Sequence, residues 1–147
     1  MTIELADLRR AAAAIDGVAE RTPVLHHPAF DPPDGVAFHK IEALQRSGSF
    51  KFRGAYHRLS NIPDADRARG VVAVSSGNHG AVVARAAELL GIDATVYIPA
   101  DTPTAKRALI EAPDASIRAR LAVGVSAGMY TVASMPSSSA ARATAAP

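Results

Sequence analysis

The sequence predicts an α/β fold built around a parallel βαβ unit, and three adjacent segments carry that prediction. Val71-Val72-Ala73-Val74 is a short apolar, mostly β-branched run of the kind that forms a buried strand. After it comes the polar turn Ser75-Ser76-Gly77-Asn78-His79-Gly80, then an apolar-periodic stretch from Ala81 to Leu90 that reads as a helix ended by Gly91. Ala94-Thr95-Val96-Tyr97-Ile98 repeats the buried-strand pattern. A helix between two strands returns the chain to the end of the sheet where it started, so the strands are expected to pair in parallel.

Composition narrows the classes. A chain of 147 residues supports one domain with one core, and 48% hydrophobic against 20% charged residues is a globular balance that excludes global disorder. The 16 basic and 14 acidic residues are scattered, and their net charge of +2 makes no field that would recruit nucleic acid or an anionic membrane, so neither is expected as a partner. Absence of cysteine excludes disulfides, thiolate catalysis and cysteine metal sites, and fits a reducing compartment. No apolar run before Arg21 looks like a signal-peptide core or reaches the roughly 20 residues of a membrane span, and a cytoplasmic location is expected.

The remaining elements follow in order. Leu5, Leu8, Ala12 and Ile15 recur at spacings of three and four, which predicts an amphipathic helix running toward Gly17 with these four on its apolar face. Pro23 biases Thr22 toward extended backbone, so the chain leaves the helix there. Asp31-Pro32-Pro33-Asp34-Gly35 is a turn, and Val36 to Ile41 reads as a short strand. Ser49 is placed to cap a helix from about Phe50 to Leu59, and Thr102-Pro103 is a cap and first-turn pair for a helix ending near Glu111. Beyond Glu111, Lys and Glu vanish, alanine and serine dominate, and no further βα unit is legible. Residues 1–111 are therefore assigned to the ordered region and 112–147 to a divergent, partly disordered tail.

In a βαβ unit, ligands sit at the carboxyl ends of the strands, where loop amides and the next helix amino terminus face outward. Ser75 to Gly80 occupies that place: Gly77 and Gly80 let the backbone approach a ligand, and Ser75, Ser76 and Asn78 add donors for a carboxylate or phosphate. Ordinary turn and cap chemistry is the competing reading of the same residues. Lys51 lies in a helix's first turn, against the dipole, between Phe50 and Phe52 in an apolar setting that favours a nucleophilic amine. A solvated surface lysine is its bland alternative. His26 and His27 are loop neighbours without metal-ligand spacing, so no metal is expected.

The string Lys40-Ile41-Glu42-Ala43-Leu44-Gln45-Arg46-Ser47-Gly48-Ser49-Phe50-Lys51-Phe52-Arg53-Gly54-Ala55 resembles the lysine segment of the serine/threonine dehydratase (threonine ammonia-lyase) and serine racemase group. That group belongs to the fold-type II, tryptophan synthase β-like pyridoxal-phosphate enzymes. Ser75 to Gly80 resembles the group's second motif, and Arg21-Thr22-Pro23 and Thr102-Pro103 fall where its pattern has them, so the resemblance covers about Leu5 to Glu111. Phe52-Arg53-Gly54-Ala55 is the dehydratase-like version; related sulfhydrylases and threonine synthases usually place Asp-Arg after the lysine.

The resemblance implies part of a three-layer fold-type II architecture with an incomplete second domain. It implies pyridoxal 5'-phosphate as cofactor and dehydration with deamination of L-threonine or L-serine to a 2-oxo acid and ammonia, serine racemization being the close alternative. Lys51 is then the cofactor-binding lysine and the general base, and Ser76 stands where the racemases have their second acid/base. Phe50 packs near the cofactor ring, Asn78 bonds its ring hydroxyl, and Ser75, Ser76, Gly77, Asn78 and His79 hold the substrate carboxylate. Taken without the resemblance, Asn78 suits a left-handed turn, His79 a helix start, Phe50 and Phe52 a core, and Glu42 and Gln45 an orienting role in their loop.

The family's phosphate loop is a run of consecutive glycines, and Gly124 and Gly128 do not replace it. The chain is also less than half the family's usual catalytic length. These departures give the expectation of a truncated amino-terminal fragment that is inactive alone, with a non-catalytic remnant or interaction module as the rival and self-association left open. The abrupt change after Glu111 is what a shift of reading frame produces, and the next frame is then expected to restore the missing motifs.

Overall fold

The computed structural model describes residues 2–75, 77–111, 117–122 and 132–134 of the chain. In chain order the elements are α1 (Leu5–Ile15), β1 (Val24–His26), β2 (Phe38–Lys40), α2 (Lys51–Ser60), α3 (Asp64–Arg67), β3 (Val71–Val74), α4 (Asn78–Leu90), β4 (Ala94–Pro99), α5 (Thr104–Glu111), β5 (Ile117–Ala122) and β6 (Val132–Ser134). β1 and β2 pair antiparallel as a separate hairpin. The main sheet has the order β5-β4-β3-β6.

The predicted βαβ unit is present: β3 and β4 run parallel, with Val71 opposite Ala94 and Val74 opposite Tyr97, and α4 is the crossover. Side chains alternate along a strand, and this register brings Val71, Ala73, Ala94, Val96 and Ile98 to one face, where each is at most 2% exposed. Val72, Val74 and Tyr97, on the other face, are only half-buried. Helix α4 lies between the sheet and α2, so it buries residues on more than one side: Gly80, Val82, Val83, Ala84, Ala86 and Ala87. From α2, Phe52, Ala55 and Leu59 complete that core. Gly91 ends α4 with φ of 63°, a left-handed geometry open to glycine, and its N–H reaches the Glu88 carbonyl at 3.1 Å.

Ser49 stands where the cap is expected: its backbone is extended, Phe50 after it is already helical, and its hydroxyl accepts from the Lys51 N–H at 3.3 Å. Other expectations need correction. Thr102 does not cap α5: the Pro103 carbonyl accepts from Lys106 and Arg107, while the buried Thr102 hydroxyl finds no hydrogen-bond partner. Along α1, Leu5 and Leu8 are 61% and 58% exposed, Ala12 is exposed and Ile15 half-buried, so the expected apolar face is largely open. The helix starts instead on a local bond, the Glu4 N–H donating to Asp7 at 2.8 Å.

The sheet also continues past Glu111. β5 pairs in parallel with β4, which makes α5 a second crossover, and β6 pairs antiparallel with β3. A further βα unit therefore exists where none was legible; the alternation Ile117-Arg118-Ala119-Arg120-Leu121 is its strand signal, hidden by the small-residue composition around it. The rest of the expected tail, residues 112–116, 123–131 and 135–147, lies outside the described residues.

Candidate functional site

α2 packs on α4, and each of these helices begins within one of the two sequence motifs. Lys51, half-buried, is the first residue of α2; the turn after β3 leads into α4, whose first two residues are Asn78 and His79. His79 has its pKa lowered below the usual imidazole value, first by burial and second by the positive charge of Lys51. The amine expected to face the Ser75–Gly80 turn is thus close enough for His79 to feel its charge.

Each residue of the turn has a distinct environment. Ser75 is 3% exposed; its N–H donates to the Tyr97 carbonyl at 2.9 Å, tying the end of β3 to β4, and its hydroxyl accepts from the Gly77 N–H at 3.2 Å. Gly77 precedes α4 in extended geometry, and a Cβ built there meets nothing within 4 Å, so the backbone borders open space. Gly80 corrects the expectation of two ligand-facing glycines. A Cβ there would lie 3.0 Å from Val96 and 3.1 Å from Ile110, so its smallness serves the packing of α4 on β4 and α5. Asn78 is exposed, and Ser76 lies outside the described residues.

The two phenylalanines flanking Lys51 divide. Phe52 is fully buried, with its ring 5.9 Å from that of Tyr56, whereas Phe50 is 63% exposed and so is not core.

Sequence reasoning missed the network behind Lys51. Arg53 donates through Nε to Glu42 Oε2 at 3.0 Å and through Nη2 to Glu42 Oε1 at 2.7 Å, and the Thr22 hydroxyl donates to Glu42 Oε1 at 2.6 Å. The Arg53 hydrogen bond, aided by Thr22 and opposed by burial, lowers the Glu42 pKa to about 2. Arg53 also donates to the Glu20 carbonyl at 2.9 Å. Gln45, 3% exposed, brackets the same backbone, accepting from the Glu20 N–H and donating to the Glu20 carbonyl, each at 3.0 Å. Gln45 is therefore structural, as expected. The available signal was the pair of opposite charges inside the Lys40–Ala55 string.

Two depressions lie elsewhere: one of about 410 Å³ between the Glu20–Pro23 segment and Leu44–Arg46, the other of about 560 Å³ between α1 and the carboxyl end of α2. Neither is lined by Lys51 or the Ser75–Gly80 turn. Among the described residues, no group of three His, Asp or Glu side chains is placed to hold a metal ion.

A family profile described as pyridoxal-phosphate dependent enzyme matches residues 15–145. The chain belongs to this family. Among relatives of this pyridoxal-phosphate enzyme chain, an L-threo-3-hydroxyaspartate ammonia-lyase of a Pseudomonas species is 50% identical over 101 residues, covering 68% of this chain and 32% of the relative. A catabolic L-threonine dehydratase of Staphylococcus aureus is 39% identical over 107 residues, covering 71% and 31%. The solved structure of maize serine racemase superposes with a TM-score of 0.74 at 32% identity, covering 82% of this chain and 36% of that one. The chain thus spans about a third of the length of the curated relatives it matches, and its fold is part of a fold-type II pyridoxal-phosphate enzyme. No helix among the described residues is long and apolar enough to cross a membrane.

The residues fit the family's cofactor. A half-buried amine, an exposed aromatic ring beside it in sequence, open space at Gly77 and the amino terminus of α4 suit a planar, anionic aldehyde.

Proposed function

We propose that this chain carries the lysine-bearing portion of a pyridoxal-phosphate-dependent ammonia-lyase. Its substrate is a β-hydroxy α-amino acid, L-threonine or L-serine, and its products are a 2-oxo acid and ammonia. The observation that carries this is the packing of α2, which Lys51 begins, on α4, which the Ser75–Gly80 turn leads into. The named activities of the Pseudomonas and Staphylococcus relatives support the reaction class. A chain of this kind without cysteine fits the cytoplasm.

When bound, the cofactor supplies an electron sink beside the substrate α-carbon. Lys51 would hold the cofactor through Nζ and would serve as general base toward the substrate α-proton. Phe50 would pack against the cofactor ring, and Asn78 would donate to the ring hydroxyl. The substrate carboxylate is held by Ser75, Ser76, Gly77, Asn78 and His79 at the amino terminus of α4, where the helix dipole favours negative charge. His79, with its imidazole biased toward the neutral form, offers a hydrogen bond there without adding a second full positive charge beside Lys51.

Racemization of serine is a second reading, favoured by the superposition on maize serine racemase, and it gives Ser76 the role of second acid/base. Adding pyridoxal phosphate to the purified chain is expected to produce a visible absorbance band that Lys51→Ala abolishes, and borohydride followed by peptide mass spectrometry should fix the added mass on Lys51. A band of equal size in Lys51→Ala rules the assignment out. Assays of 2-oxo acid release and of D-serine formation then separate elimination from racemization.

A further inference from the structure

We infer that Arg53 and Glu42 are positioning residues that hold α2 at the rotation in which Lys51 faces the Ser75–Gly80 turn. The inference rests on the proposed role of Lys51. Helical residues advance by about 100° each, so Lys51 and Arg53 flank Phe52 at roughly 100° to either side. Phe52, Ala55 and Leu59 form the buried stripe of α2, which leaves Lys51 on one border of that stripe and Arg53 on the other. Any rotation of α2 that lets Arg53 leave Glu42 must therefore carry Lys51 in the same angular sense.

The cap of α2 gives that rotation a weak hold. Phe50, at the cap position, makes no side-chain cap bond, and Ser49 gives one 3.3 Å contact. Against this, Arg53 is bound to two separate pieces of chain: the Glu42 carboxylate and the Glu20 carbonyl. Thr22 holds Glu42 from the other side, and Gln45 fixes the Glu20 backbone. On a helix about 10–12 Å across, a roll of about 20° displaces a side-chain tip by about 2 Å. Displacements of about 1 Å in a reacting group already cost about 100-fold in rate.

The test reads Lys51 through His79, without needing the cofactor. In the full chain, the His79 titration midpoint is followed by NMR in wild type, Lys51→Met, Arg53→Lys and Glu42→Gln, with circular dichroism to follow folding. Lys51→Met is expected to move the midpoint upward by removing a positive neighbour. Arg53→Lys, which keeps the charge but loses the fork, and Glu42→Gln are expected to move it in the same direction by at least half as much. Loss of the Glu42 charge acts directly in the opposite sense, so an upward shift there reports movement of Lys51. Should Glu42→Gln fail to fold, Thr22→Val removes one hydroxyl from the clamp and is expected to give a smaller upward shift. A wild-type midpoint in the folded clamp variants, or no shift in Lys51→Met, overturns the inference. A wild-type chain that shows no Lys51-dependent band with pyridoxal phosphate rejects the proposed function, yet leaves the His79 comparison to decide the clamp.

Discussion

Arg53 grips both carboxylate oxygens of Glu42, at 3.0 and 2.7 Å, and the pair is mostly shielded, with side chains 30% and 16% exposed. A forked, charge-assisted contact of this kind stabilises the ionised acid, which is why the Glu42 pKa falls from the usual 4.5 to about 2. Because the folded-state value is the lower one, the clamp stabilises the fold fully above the ordinary carboxylate range and stops doing so as pH drops through about 2. Glu42→Gln should lower stability by about 1–3 kcal/mol at pH 7, since one charged acceptor is lost while Arg53 and Thr22 keep their donors. Below pH 4.5 the gap between wild type and variant should narrow, closing near pH 2. Urea unfolding at pH 7, 4, 3 and 2 measures it; a gap of constant size across that series is inconsistent with a clamp that depends on the ionised acid.

Gly77 and Gly80 make a matched pair with opposite expected outcomes. A methyl at Gly80 lands 3.0 Å from Val96 and 3.1 Å from Ile110, both at most 1% exposed and unable to retreat. Replacing a helical glycine by alanine gains up to about 1 kcal/mol in propensity, but overpacking a closed core costs about 1–3 kcal/mol, so Gly80→Ala should be net destabilising. Gly77→Ala meets nothing in the fold and should leave thermal stability within about 0.5 kcal/mol of wild type. Its methyl enters the space assigned to the cofactor or the substrate carboxylate, so half-saturation by pyridoxal phosphate should rise severalfold. Calorimetry beside a spectroscopic titration separates the two effects, and unchanged cofactor affinity in Gly77→Ala would remove that space from the site.

The βαβ unit was legible because its two strands and crossover are each specified locally: β-branched residues in β3 and β4, helix period in α4, and a glycine at its end. Lys51 and the turn were legible as motifs, while their meeting depends on α2 packing across α4, which neither motif encodes alone. The misses share a physical cause. Thr102 reads as a cap in any local scheme, but the Pro103 carbonyl takes that place and leaves the threonine hydroxyl buried. Leu5 and Leu8 show helix periodicity without any statement of what covers them. β5 and β6 are specified by pairing with β4 and β3, a non-local interaction that weak strand propensity does not reveal. The Arg53–Glu42 contact likewise joins residues 11 apart through a turn whose geometry has to be known first.

Gln45 offers a sharper test of how the loop before Lys51 is held. Its Oε1 accepts from the N–H groups of Glu20 and Arg46 at 3.0 and 2.9 Å, and its Nε2 donates to the Glu20 carbonyl at 3.0 Å, so a glutamine amide fits and an ionised carboxylate does not. In Gln45→Glu the two acceptances survive, but a negative oxygen is set against the Glu20 carbonyl. At pH 7 the substitution should cost about 1–3 kcal/mol, the usual range for a buried polar mismatch. Burial beside a carbonyl raises the introduced carboxyl's pKa in the folded state, so the cost is fully present above that raised value and disappears as pH falls below the unfolded value of about 4.3, where the protonated acid donates as the amide did. Gln45→Met, which can neither accept nor donate through an amide, should show a loss that does not vary with pH. Unfolding both variants at pH 7 and pH 4 distinguishes them: recovery confined to Gln45→Glu identifies the donated hydrogen bond to Glu20 as the contact that matters, and equal behaviour of the two rejects it.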